Sequence, residues 1–167
     1  SVVDMHKIDN NNPAYIDLAG RFPVTSTSGN QYILVGYHWD SNAILAEPIK
    51  NRKSATILKA WQKINSTFQQ SGHPPNIYIM DNEASGELKQ AMSNESIEYQ
   101  LVPPHCHRRN RCERAIQTFK RHFKTGLALC DPKFPIREWD RLLPQCIITL
   151  NLLRASRSNP RLSAYAY

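Results

Sequence analysis

An α/β domain is predicted, with a mixed five-stranded sheet in the order βββαβαβ, two further helices after it, and helices flanking the sheet. Three observations predict it. Short runs rich in β-branched and aromatic residues crowd the first fifty positions. Apolar residues at helical spacing then alternate with further short strand-like runs. Gly and Pro fall at the joints between these segments. The length of 167 residues suits one domain spanning 1–167.

Each element has its own signal. Ala14 to Ala19, Asn30 to Trp39 and Asn42 to Ile49 read as a meander of three strands, with Asp40-Ser41 as a turn. Ile57, Leu58, Trp61, Ile64 and Phe68 share one helical face, and Gly72 followed by Pro74-Pro75 ends that helix. Asn76 to Met80 is a short strand, Ser85 to Ser93 a short helix, and Ile97 to Val102 a strand that stops at Pro103-Pro104. Ala115, Ile116, Phe119, Phe123 and Leu127 then mark a helix whose other face is basic. A last helix is expected from about Pro135 through Trp139, Leu142, Leu143, Ile147 and Leu150 toward Leu153, kinked at Pro144.

Charge narrows the partners. Lys and Arg number 21 against 14 Asp and Glu, a net of +7, which favours a polyanion and above all nucleic acid. A membrane is not expected as a partner. The longest apolar stretch, Cys146 to Leu153, is broken by Thr149 and Asn151 and falls short of the roughly 20 residues a span needs. Cys106, Cys112, Cys130 and Cys146 show no CxxC spacing and read as reduced thiols of an intracellular protein. The start at SVVDMHKI has no apolar signal core, so the chain reads as a domain excised from a longer one.

Three acids stand out. Asp17 sits inside the apolar run AYIDLAG, Asp81 closes NIYIMD, and Glu113 lies early in the basic helix HRRNRCERAIQTFKRHFK. A lone ionised carboxylate taken out of water must be paired, protonated or metal-bound, and no cation adjoins Asp17 in sequence. Arg108, Arg109, Arg114, Lys120, Arg121 and Lys124 concentrate positive charge on the preceding loop and the same helix, a natural surface for phosphates. His105, Cys106, His107 and Cys112 suit zinc by type. Three ligands in immediate succession, however, cannot readily fold back onto one ion, and structural zinc sites separate their pairs by about two to four residues.

The ordered set YIDLAGRFP, AILAEPIKNR, MDN at 80–82 and RRNRCERAIQTFKRHF resembles the catalytic core of retroviral and LTR-retrotransposon integrases. These are DDE polynucleotidyl transferases of ribonuclease-H-like fold. The resemblance implies 3′-end processing and strand transfer of element DNA into target DNA, with Asp17, Asp81 and Glu113 both catalytic and metal-binding. It further implies two Mg²⁺ (or Mn²⁺) ions, Asp17 bridging both, Asp81 holding one and Glu113 the other. Two such ions, about 3.5 to 4 Å apart, stabilise the attacking and leaving oxygens of an in-line displacement. Members commonly carry cations one and two turns after the Glu; those positions here are Gln117 and Lys120, and Lys120 is the strongest single DNA contact expected. A dimer or higher oligomer built on the first long helix and the last one is implied, as is nuclear action in a eukaryotic host.

Two rival readings use the same residues. One is a DDE transposase or nuclease of the same fold. The other is an inactive or domesticated DNA-binding remnant, suggested by Glu83 after Asp81-Asn82, by Arg111 ahead of Glu113, and by a spacing of only 31 residues between Asp81 and Glu113.

Overall fold

A computed structural model describes residues 12–72, 74–81, 86–94, 97–102, 107–157 and 159–165, with the side chains of residues 81 and 107–109 outside that description. The strands are β1 (Pro13–Arg21), β2 (Tyr32–His38), β3 (Ala43–Ile49), β4 (Ile77–Asp81) and β5 (Tyr99–Val102). The helices are α1 (Ser54–Gln70), α2 (Gly86–Asn94), α3 (His107–Ala128) and α4 (Trp139–Leu153). One sheet runs in the order β3-β2-β1-β4-β5. The first three strands pair antiparallel, while β1 pairs with β4, and β4 with β5, in parallel. The predicted sheet and element order therefore hold.

The two-residue period of each strand sorts its side chains onto opposite faces. Tyr15, Val35 and Ile79 pack with Phe119 and Phe123 of α3 and Trp139 and Leu143 of α4. Their neighbours Ile16, Leu34 and Met80 pack on the other face with Ile57, Ile64 and Phe68 of α1 and Leu88 and Met92 of α2. Burial on both faces is what makes these strands read as continuous apolar runs. Gly36 sits beneath α1, where a Cβ would stand 2.8 Å from Ile64 Cγ2.

Boundaries follow local chemistry. A register shift between Leu18 and Arg21 interrupts the β1–β2 pairing, and Gly20 takes φ +90° within it. The β2–β3 turn covers residues 39–42, with Asn42 at φ 61°, a conformation Asn tolerates better than most residues. Gly72 at φ +82° follows the end of α1, as the Gly-Pro-Pro signal predicts. The last helix departs from expectation at its start. Pro135 precedes a 3₁₀ turn, Ile136–Glu138, and α4 begins only at Trp139. It continues through Pro144 to Leu153. Trp61, on the apolar face of α1, is half-buried and lies edge-on to Tyr78 with ring centroids 5.3 Å apart.

The buried Asn151 of α4 ties that helix to the sheet edge. Its Oδ1 accepts from Ile44 N at 2.9 Å and its Nδ2 donates to Ile44 O at 2.8 Å, so one amide completes both main-chain groups of a β3 residue. On the same strand, burial raises the Glu47 carboxyl above its ordinary value of 4.5, an effect partly offset by the positive charge of Lys63. The folded state thus favours protonated Glu47. Its contribution to stability is full below pH 4.5 and is lost as pH rises through the raised folded value. Glu47→Gln is expected to raise Tm at pH 7, with the gain over wild type vanishing below pH 4.5 in thermal melts.

Candidate active site

Backbone register brings the two aspartates together. The β1–β4 pairing runs Pro13–Ile77, Ala14–Tyr78, Tyr15–Ile79 and then stops. Asp17 and Asp81 each lie two residues beyond that last pair, at matching positions on adjacent parallel strands. Asp81 closes β4 and is paired with Val102 of β5. Carboxyl ends of parallel strands are where open α/β sheets place their ligands.

Where β1 and β4 cease to pair there is a cleft of about 40 Å³. Tyr15 and Asp17 of β1, Ile79 and Met80 of β4, and Cys112 and Glu113 of α3 line it. Asp17 is half-buried and its Oδ1 accepts from Leu18 N at 2.8 Å, which fixes the carboxyl against its own strand. Glu113 is exposed. Two of the three predicted acids therefore share one cleft, and the third is carried to its edge by backbone register, its side chain lying outside the described residues. Among the described residues no cluster of three or more His, Cys, Asp or Glu could hold a metal ion.

The basic residues divide by helical phase. Gln117, Lys120 and Lys124 follow Glu113 at intervals of four, seven and eleven residues and so share its face. Arg114 and Arg121 form the adjoining stripe, and Arg114 Nε donates to Asn110 O within the helix at 3.3 Å. All five are exposed. Lys120 and Lys124 line a groove of about 220 Å³ together with Arg21 and Phe22, just past Asp17 along β1. The side chains of Arg108 and Arg109 lie outside the described residues.

Several site residues carry no sequence signal of their own. Tyr15 and Met80 read as core, Cys112 enters only as a thiol of the zinc alternative, and Arg21 reads as an isolated cation. Only its position four residues after Asp17 could have drawn attention to Arg21. Arg111 stacks its guanidinium on Trp39, with Cζ 3.9 Å from the ring centroid. His105 and Cys106 of the zinc alternative, and Glu83, lie outside the described residues, as does the side chain of His107. Cys130 and Cys146 are free thiols.

The sheet order and flanking helices define the ribonuclease-H-like fold, in the version found in retroviral integrase catalytic cores. The HTLV-2 integrase catalytic core domain in complex with magnesium matches with a TM-score of 0.62 at 18% identity, over 93% of this chain and 94% of that one. The BIV integrase catalytic core domain matches with a TM-score of 0.61 at 14% identity, over 93% and 91%. A chain of the simian T-cell lymphotropic virus intasome in complex with PP2A regulatory subunit B56 gamma matches with a TM-score of 0.64 at 17% identity, over 93% of this chain and 53% of that chain. No protein-family model matches the sequence. No curated protein matches it either.

Proposed function

We propose that this chain is the catalytic core of a DNA integrase, carrying out metal-dependent phosphoryl transfer in 3′-end processing and strand transfer. One observation carries the reading: Asp17 and Asp81 stand at matching register positions past the last β1–β4 pair, and Glu113 lines the same cleft as Asp17. Oxygen donors of this kind fit a hard divalent cation such as Mg²⁺ or Mn²⁺, which takes one or two carboxylates directly and keeps several waters. Asp17, Asp81 and Glu113 are the residues that would hold two such ions. When bound, the pair supplies electrostatic stabilisation to the attacking and leaving oxygens of the phosphodiester. Asp17, anchored by its bond from Leu18 N, offers a fixed oxygen, and the exposed Glu113 adds a carboxylate from α3.

Arg21, Lys120 and Lys124 would take DNA phosphates beside the acids, with Gln117, Arg114 and Arg121, and Arg108 and Arg109 of the first turn, extending the track along α3. Such contacts confer affinity without reading sequence. Lys120→Ala is expected to lower the slope of log K against log salt by about one in fluorescence-anisotropy titrations. The HTLV-2 core is known in dimeric and trimeric forms. For this chain we propose that copies meet across α1 and α4, where Ile148 and Leu152 are exposed. The reading places the protein inside the cell, acting on nuclear DNA where the host is eukaryotic.

A Mn²⁺ soak of the crystallised domain tests the proposal. Anomalous density among Asp17, Asp81 and Glu113 is the expected result. Three acids that stay apart, or bind no metal at saturating Mn²⁺, would instead favour the DNA-binding remnant.

A further inference from the structure

Trp39, in the β2–β3 turn, has a guanidinium on each side. Arg157 Cζ lies 3.5 Å from the ring centroid and Arg111 Cζ lies 3.9 Å from it. Two like-charged groups this close to one centroid cannot share a face without overlapping, so they bracket the indole. Arg111 belongs to α3, two residues before Glu113. Arg157 belongs to the segment after α4.

That segment is fastened to the same turn. Arg157 N donates to Asp40 O at 2.9 Å, Arg154 Nε to Asn42 O at 2.8 Å, and Asn42 Nδ2 to Ala155 O at 3.0 Å. The chain then returns on itself, with Ser156 N donating to Leu162 O and Ala164 N to Arg154 O. Arg157 also donates from Nη2 to the Tyr37 hydroxyl at 3.0 Å. The Tyr37 ring lies 6.0 Å from that of Tyr15, which lines the acid cleft. A closed circuit results: from the cleft wall at Tyr15 through Tyr37, Arg157, Trp39 and Arg111, and along α3 back to the cleft at Cys112 and Glu113.

We propose that residues 154–157 form a strap that sets the position of α3, making Trp39 and Arg157 positioning residues for the cation held by Asp17 and Glu113. The inference rests on the metal-binding reading above. Removing the indole would take away this tie between α3, the turn and the strap, letting Glu113 move relative to Asp17 while the two core layers stay packed. Without Arg157 one side of the indole is bare, and Arg111 loses its backing.

Calorimetric titration of Mn²⁺ into the wild-type protein, Asp17→Asn, Trp39→Leu, Trp39→Phe, Arg157→Gln and Ile57→Val tests this, with Tm measured for each. Trp39→Leu and Arg157→Gln should weaken Mn²⁺ binding about tenfold, the scale set by a desolvated cation–π contact, whereas Trp39→Phe, which keeps a ring, should recover most of it. Ile57→Val, fully buried in the opposite layer, should lower Tm without changing the affinity. Wild-type affinity in Trp39→Leu overturns the strap and leaves the metal-binding reading intact. Equal weakening in Ile57→Val overturns it too, since the loss would then follow stability. Failure of the wild type to bind Mn²⁺, or equal binding by Asp17→Asn, overturns both inferences.

Discussion

On the integrase reading proposed above, replacing Asp17 by Asn is expected to lower strand-transfer and 3′-processing rates by about a hundredfold to a thousandfold, the scale seen when a principal electrostatic stabiliser is removed. The substitution isolates charge. Asn has the same shape, and its Oδ1 can still accept from Leu18 N, so the local strand geometry and Tm should persist. The fixed carboxylate is lost from a cleft of only about 40 Å³, where no other described side chain except Glu113 offers an anionic oxygen. DNA binding at low salt should survive, because the phosphate contacts proposed above belong to Lys120, Lys124 and their neighbours. Oligonucleotide processing and joining assays, run beside anisotropy binding, would check both halves. Near-wild-type turnover in the variant would remove Asp17 from the proposed metal site. Asp81→Asn should behave alike, since its backbone position matches that of Asp17 across β1 and β4.

Trp139→Ala should be the most damaging single change to the fold, at about 3 to 5 kcal/mol for truncation of a large buried aromatic. In a domain of this size that corresponds to a Tm lowered on the order of 10 °C. Trp139 has no exposed surface, stacks on Phe22 with centroids 4.2 Å apart, and meets Phe123 at 6.3 Å. Its Nε1 also donates to Val24 O at 2.7 Å, anchoring the loop that follows β1. Truncation would open a cavity among β1, α3 and α4 and leave the Val24 carbonyl without this donor. Trp139→Phe should recover part of the packing and none of that hydrogen bond. Scanning calorimetry of the two variants would separate the contributions, and a loss below about 1 kcal/mol in Trp139→Ala would contradict this account of the core.

Local signals made the elements legible. Strand runs, the amphipathic spacing of Ile57, Ile64 and Phe68, and the Gly72 stop all act over a few residues, so the sequence carries them openly. The acids were legible for a related reason: Asp17 interrupts an apolar run, and that break is visible without knowing what packs against it. Distant pairings were not legible. Arg111 sits next to Cys112 and Glu113 in sequence, yet its guanidinium lies on Trp39, more than seventy positions earlier. Arg111 stands out only for its place ahead of Glu113, and Trp39 breaks no local pattern. The same holds for Arg157 on that ring and for Asn151 on Ile44, whose partners are set by how α4 and the chain after it return to the sheet. Pro135 misled for a different reason. Its suitability for a first helical turn holds equally for the 3₁₀ turn that precedes α4.

β3 is one of the two outer strands of its sheet, and an outer strand ordinarily invites another chain to pair with it. Its outward positions are Ile44, Ala46 and Pro48. Ile44 already has both main-chain groups taken by the Asn151 amide, and Pro48 has no N–H to give. Ala46 alone keeps an outward donor, too few for a ladder. A polypeptide approaching this edge, whether a second copy or an unfolding neighbour, therefore finds no template for continuing the sheet. Association there is confined to side-chain packing, and the protein keeps an open sheet edge at β3 without the tendency to grow fibrils from it.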